Sequence, residues 1–239
     1  MAWRSHGSTN SELIQNLFNN GLMKSARVIE AMNKVDRANY VLPHSKKEAY
    51  EDRPQSIGFG ATISAPHMHA NALEHLVPFL KPSARVLDVG SGSGYMLACL
   101  YHLINSIPSR AWVANSPGLI LGIEHIPQLA HQSIENLIND GLSKSLETGE
   151  IKVVAEDGRN PDPKHGGAWD VIHVGAAAPT IPQALLDQLA APGRMFIPVG
   201  EYDQSIYQID KNSDGTITQS QLYDVKYVPL TNRESQWEL

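Results

Sequence analysis

The chain has 239 residues, of which 42% are hydrophobic, enough to bury one sizeable core and too many for a disordered segment. A net charge of −6 gives no general attraction for phosphate backbones, so a nucleic-acid binder is not expected. No apolar run approaches the roughly 18 residues that cross a bilayer, the polar start lacks a secretory apolar region, and the lone Cys99 requires no oxidising compartment; a cytoplasmic protein without membrane partners is expected.

In chain order, Leu13, Ile14, Leu17 and Phe18 keep helical spacing with Ser11 as the expected N-cap, and Val28, Ile29, Met32 and Val35 form a second helical stripe. From Asp52 to Pro66, glycines, prolines and β-branched residues predict an ordered loop or short extended segment, followed by a helix over 66–80. Residues 85–89 then begin an alternation: strands at 85–89, 119–123, 151–155, 170–174 and 194–198, with helices at 97–104, 129–138 and 181–189. Such alternation predicts a mostly parallel α/β sheet covered on both faces. Residues 205–209 and 222–228 flank turn residues and predict an antiparallel C-terminal hairpin. One domain is expected, with an N-terminal helical extension over 1–80 and an α/β core over 81–239.

The run Asp88-Val-Gly90-Ser-Gly92-Ser-Gly94 falls between the first strand and its helix. Glycines there let the backbone approach a ligand, and ligands of open α/β sheets bind beyond the carboxyl ends of the strands. A dinucleotide fingerprint would require glycine at position 95, which is Tyr95. The spacing G-x-G-x-G, with an acidic residue two places before it, resembles the first motif of class I methyltransferases; a tight turn without ligand is the plainer alternative. Glu124, ending the second strand, is placed to accept ribose hydroxyls, although it lies farther from the loop than the usual ~20 residues. An insertion over 106–117 accounts for the distance. Asp157-Gly158 follows the third strand, where Asp157 can meet an adenine amino group. A surface carboxylate and a plain turn are the respective alternatives.

Five segments together carry a more specific resemblance: Ser56-Ile-Gly-Phe-Gly-Ala-Thr-Ile-Ser-Ala-Pro-His-Met-His-Ala70, the glycine loop, Glu156-Asp-Gly-Arg159, His173-Val-Gly-Ala-Ala-Ala-Pro179 and Tyr227-Val-Pro-Leu-Thr231. From Met1 to Trp237 the sequence resembles the protein-L-isoaspartate (D-aspartate) O-methyltransferase family in its eukaryotic form. The resemblance implies a Rossmann-like, doubly wound fold and S-adenosylmethionine as cofactor, leaving S-adenosylhomocysteine. The substrates it implies are the free α-carboxylates of L-isoaspartyl residues in damaged proteins and peptides, with D-aspartyl residues as further candidates. It assigns Ser64 as catalytic and implies cofactor contacts at Ala61, Thr62, Ile63, His69, Ser93, Glu124, His125, Asp157, Gly158, Thr231 and Gln236, joining Asp88, Gly90 and Gly92 of the loop. Glu124 stands where relatives often carry Asp, and the 106–117 insertion is longer than expected.

The chemistry agrees with what is absent. A carboxylate is already ionised at neutral pH and needs no general base, and no Asp/His pair for proton abstraction stands out. The Asn/Asp-Pro-Pro-aromatic motif of amino-directed methyltransferases is missing. Ser64, before Pro66, could equally cap the following helix. His67 and His69 are spaced i, i+2, which puts them on different sides of a helix, so no metal is expected. Asp210-Lys-Asn-Ser-Asp-Gly215 nearly matches a calcium loop, but Gln221 replaces the bidentate glutamate, and the segment reads as a hairpin turn. A small-molecule O-methyltransferase and a calcium-responsive binding module remain the alternatives. A monomer is expected, because the reaction needs no second subunit.

Overall fold

The computed structural model describes residues 5–106 and 118–236. Most of the 106–117 insertion and the terminal tryptophans at 3 and 237 lie outside them.

Helix α1, Asn10–Asn19, starts two residues earlier than Ser11 as N-cap would place it. Thr9 is the N-cap, accepting the Glu12 N–H at 3.2 Å, while the Glu12 carboxylate accepts the Ser8 N–H at 2.7 Å. This is close to a reciprocal capping box, with the acid three residues after the threonine. Leu13, Ile14 and Leu17 are fully buried but Phe18 is 46% exposed. At 100° per residue, position 18 lies at the rim of the arc the other three occupy. Helix α2, Ala26–Lys34, buries Val28 and Met32 of the predicted stripe together with Ala31, while Ile29 is only half-buried.

The segment after Asp52 forms a small antiparallel hairpin, β1 (Gln55–Gly58) with β2 (Ala61–Ile63). Its tip, Gly58-Phe59-Gly60, has φ of 93°, 53° and 69°, a left-handed run that the two glycines make accessible. Helix α3 spans Pro66–Leu76 and gives way to a 3-10 turn at Val77–Phe79, short of the expected residue 80. Pro78 lacks an N–H to extend the ladder.

The main sheet contains β3 (Arg85–Val89), β4 (Leu119–Ile123), β5 (Ile151–Val154), β6 (Trp169–Val174), β7 (Leu189–Val199), β8 (Gln204–Lys211) and β9 (Ile217–Val225). Its order is β5-β4-β3-β6-β7-β8-β9, parallel from β5 to β7 and antiparallel through β8 and β9. Helices α4 (Tyr95–Ile104), α5 (Pro127–Asn139), α6 (Ser143–Glu147) and α7 (Gln183–Gln188) are interleaved with the strands, and α8 (Arg233–Gln236) ends the described chain. The polar stretch Asn212–Gly215 is the turn of the β8–β9 hairpin, with Asp214 Oδ1 accepting the Thr216 N–H at 2.9 Å.

Strand alternation divides the core. Val86, Ile120, Val171 and Phe196 join the cluster containing Leu13, Leu17, Met32 and Leu97, so the N-terminal helices and α4 cover one face. Leu87, Ile123, Ile172 and Met195 pack with Trp169 and Leu185 on the other. Strand β3 lies between β4 and β6, where connections depart in opposite directions. The glycine loop therefore leaves the sheet at its topological switch point, where a crevice opens.

Candidate active site

Gly90, Gly92 and Gly94 have φ of 74°, 51° and 85° as the chain turns from β3 into α4. Side chains there would be strained, so the turn requires glycine. Glu124, arriving at the end of β4, braces the loop: Oε2 accepts the Gly92 N–H at 3.1 Å and Oε1 accepts the Ile126 N–H at 3.0 Å. Burial holds the Glu124 pKa above the usual carboxylate range, against these hydrogen bonds.

Three cavities meet at this turn. Ala61, Glu124, His125, Asp157, Gly158, Thr231 and Gln236 line the first, with Gly90 and Gly92 as its floor. Ile63, His69, Asp88 and Ser93 line the second, which shares both glycines with the first. The third is a wider groove between Pro54, His67 and Met68 on one side and residues 223–228 on the other. Thr62 and Gly175 border all three, and Ser64 borders the second and the groove. Every residue singled out in the sequence thus faces one connected space.

The first cavity suits a nucleoside. The Glu124 carboxylate keeps lone pairs beyond its two backbone bonds. A Cβ on Gly158 would lie 2.5 Å from Val89 Cγ1, so only glycine lets this turn close on β3. Asp157 departs from expectation. Its half-exposed carboxylate is gripped by Arg159, with Nη2 to Oδ2 at 2.6 Å, and that partner lowers its pKa. An adenine amino group there would have to share the carboxylate with Arg159. The tail folds across the opening: His125 Nε2 and Gln236 Oε1 are 2.7 Å apart, and Gln236 Nε2 donates to the Phe59 carbonyl at 3.2 Å.

The second cavity is bordered by buried polar groups left without partners among the described residues: Asp88 Oδ2, His69 Nδ1 and Ser91 Oγ. Unpaired buried polar atoms are costly, and an aspartate 1% exposed more so. A zwitterionic amino acid would relieve them, its ammonium toward Asp88. Asp88 Oδ1 is held by His173 Nδ1 at 2.7 Å, and the imidazole stacks on Phe196. Burial drives the His69 pKa well below its ordinary value, so that ring is a neutral partner against Tyr95. The donors and acceptors present therefore fit an adenosyl amino acid along both cavities.

Ser64 stands where the second cavity opens into the groove. It does not cap α3: the N-cap is Ala65, and a first-turn N–H, that of His67, goes to Asp52 Oδ1 at 3.0 Å. Its hydroxyl lies close to the Tyr227 hydroxyl, whose pKa burial lifts to about 12. Its carbonyl accepts Arg37 Nη2 at 2.9 Å. Arg37 is fully buried, and burial lowers its pKa to about 10, leaving it charged at neutral pH.

His173, Arg37 and Tyr227 were missed as functional residues in the sequence. Asp88 and His173 are register partners on adjacent parallel strands and point to the same face. Each is a polar residue interrupting an apolar strand, which is the signal that could have paired them. His67 and His69 stay apart in their bonding, His67 with Asp52 and His69 against Tyr95. Among the described residues no group of three or more His, Cys, Asp or Glu is placed to hold a metal ion. Cys99 is buried in the core, as its helical position predicts. Among these residues, too, no helix is long and apolar enough to cross a membrane.

The sequence profile described as Protein-L-isoaspartate(D-aspartate) O-methyltransferase matches residues 8–235. Among similar proteins, the Caenorhabditis elegans protein-L-isoaspartate O-methyltransferase is 47% identical over 239 residues, covering 99% of each chain. The Arabidopsis thaliana protein-L-isoaspartate O-methyltransferase 1 is 45% identical, covering 95% of this chain and 93% of its own. A Plasmodium falciparum crystal structure assigned to the same activity, in complex with S-adenosyl-L-homocysteine, superposes with a TM-score of 0.83 at 35% identity. The match covers 94% of this chain and 99% of that one.

Proposed function

The chain belongs to the protein-L-isoaspartate (D-aspartate) O-methyltransferase family, and from that premise we propose how its residues divide the work of a repair methyltransferase. It is an S-adenosylmethionine-dependent enzyme that methylates isoaspartyl residues of damaged proteins. The methyl acceptor is the free α-carboxylate, with D-aspartyl residues as further candidate substrates. The bound cofactor supplies an electrophilic methyl on a sulfonium, which becomes a neutral thioether as the carboxylate oxygen takes the carbon.

The observation that carries this division is the position of Ser64, on the border between the open groove and the cavity where Asp88 Oδ2 has no partner among the described residues. Asp88, held by His173, takes the cofactor ammonium. Glu124 takes ribose hydroxyls while bracing the glycine loop, and Gly158 and Thr231 shape the nucleoside end. His125 and Gln236 close the tail over it. Ser64 donates to one oxygen of the substrate carboxylate and leaves the other facing the methyl group. No residue removes a proton, because the acceptor is already an anion. Rate comes from alignment and from keeping water out. Residues 1–80 supply the substrate-binding side, including Thr62 and Ser64, and residues 81–239 the cofactor core. All these groups lie in one chain, which supports a monomer, and we place it in the cytoplasm.

Methyl-labelled cofactor offered with peptides that differ only in Asp or isoAsp at one position tests the function. Label is expected in the isoAsp peptide, at background in the Asp peptide and at a low level in a D-Asp peptide. Equal labelling of Asp and isoAsp peptides would contradict a repair enzyme.

A further inference from the structure

Two polar groups bordering the groove are committed elsewhere: the Tyr223 hydroxyl donates to Asn71 Oδ1, and Asp224 Oδ1 accepts the Ser205 hydroxyl at 2.8 Å. His67 differs. Its Nδ1 lies 2.7 Å from Asp52 Oδ1, and the same oxygen accepts the His67 main-chain N–H at 3.0 Å. The Asp52 side chain is 0% exposed, whereas that of His67 is 18% exposed and borders the groove. Asp52 lies within the electrostatic reach of buried Arg37, the same cation that holds the Ser64 carbonyl.

Satisfying the first turn of α3 would need only the main-chain bond. The second bond, from the ring to the same oxygen, fixes the imidazole. A carboxylate only accepts, so Nδ1 carries the hydrogen, and in the neutral ring Nε2 keeps its lone pair. Nε2 has no hydrogen-bond partner among the described residues and is not among their buried unpaired atoms, so it is open to the groove.

We propose that His67 is a specificity contact for the substrate backbone: Nε2 accepts the isoaspartyl residue's own amide N–H while Ser64 holds its carboxylate. This rests on the isoaspartyl reading of the groove. A lone pair repels a carboxylate and calls for a donor, and the donors a peptide offers beside that carboxylate are its amides. The two amides are not equivalent. In isoaspartate one carbon separates the residue's own nitrogen from the free carboxylate carbon; in aspartate two carbons do. The following amide, by contrast, is equally far along the chain from the carboxylate in both isomers. An enzyme that fixes the carboxylate and the residue's own N–H at two points therefore measures the bond that damage has moved. Asp52 and Arg37 hold both points from beneath, one through the imidazole and the other through the Ser64 carbonyl.

The test uses the intact enzyme and three isoaspartyl peptides: the parent, one with an ester oxygen replacing the residue's own N–H, and one with the following N–H so replaced. For wild type, loss of the residue's own N–H is expected to raise KM about tenfold, the scale of one hydrogen bond, with kcat changed less. Loss of the following N–H should leave KM nearly unaltered. His67→Phe should raise KM for the parent by about the same factor and make the first ester no worse than the parent. Equal penalties from the two esters in wild type would overturn the proposal without any variant. So would a first-ester penalty that persists undiminished in His67→Phe. Wild-type methylation of the parent peptide stands in every one of these outcomes, so the isoaspartyl assignment is judged separately.

Discussion

Ser64→Ala is expected to lower kcat for an isoaspartyl peptide by about 10²-fold, while S-adenosylhomocysteine still binds within about twofold of wild type. The reason is positional. The Ser64 side chain lies where the second cavity meets the groove, close to the Tyr227 hydroxyl. With a nucleophile that needs no base, the loss falls on the alignment of oxygen, methyl carbon and sulfur. A misplacement of about 1 Å at such a centre is enough for an effect of that size. The backbone should stay put, because Arg37 holds the Ser64 carbonyl and the helix that follows is capped without this side chain. Steady-state kinetics with calorimetric titration separates the two effects. An unchanged kcat would remove Ser64 from the reaction, and a parallel fall in cofactor affinity would make it a cofactor contact instead.

Asp88→Asn is expected to weaken S-adenosylhomocysteine binding by about 10²-fold or more, the scale on which removing one partner of a buried charge pair acts. The Asp88 carboxylate is buried, with one oxygen bonded to His173 and the other unpartnered among the described residues. The neutral amide keeps the shape and removes the charge that an ammonium would meet. 5′-Methylthioadenosine has the nucleoside and the sulfur but no amino acid, so its affinity should stay within about twofold of wild type. Titrating both ligands into both proteins checks this. Equal losses for the two ligands would place the damage in the glycine loop rather than at the ammonium.

The parallel core was legible because β3, β4, β5 and β6 are short apolar runs separated by glycines and amphipathic helices, a pattern that burial on both faces imposes. The glycine loop was legible for a related reason: three glycines on alternate positions after a strand serve a turn that must admit a ligand. The other site residues came through the family resemblance, since no spacing ties Ser64 to Asp157 or Gln236. Strand β9 was misplaced because Ile217–Gln221 is almost wholly exposed. Backbone pairing with β8 makes it a strand, and an edge strand with little burial leaves no alternation to read. The end of α3 was overrun because apolar spacing continued through Pro78. The partnerships of Asp88 with His173 and of Asp52 with His67 span 85 and 15 residues, and only the folded register brings them together. Arg37 drew no reading from the sequence. Nothing local indicates that it is buried beneath the Ser64 loop.

The most direct test is a crystal structure of the enzyme with S-adenosylhomocysteine and an isoaspartyl peptide. The account predicts the amino acid end of the cofactor against Asp88 and the nucleoside beside Glu124. It places one oxygen of the peptide's free carboxylate on the Ser64 hydroxyl, and the other in line with the sulfur, about 3–3.5 Å from where the transferred carbon would sit. A sulfur turned away from the groove, or a peptide carboxylate bound out of reach of Ser64, would contradict it.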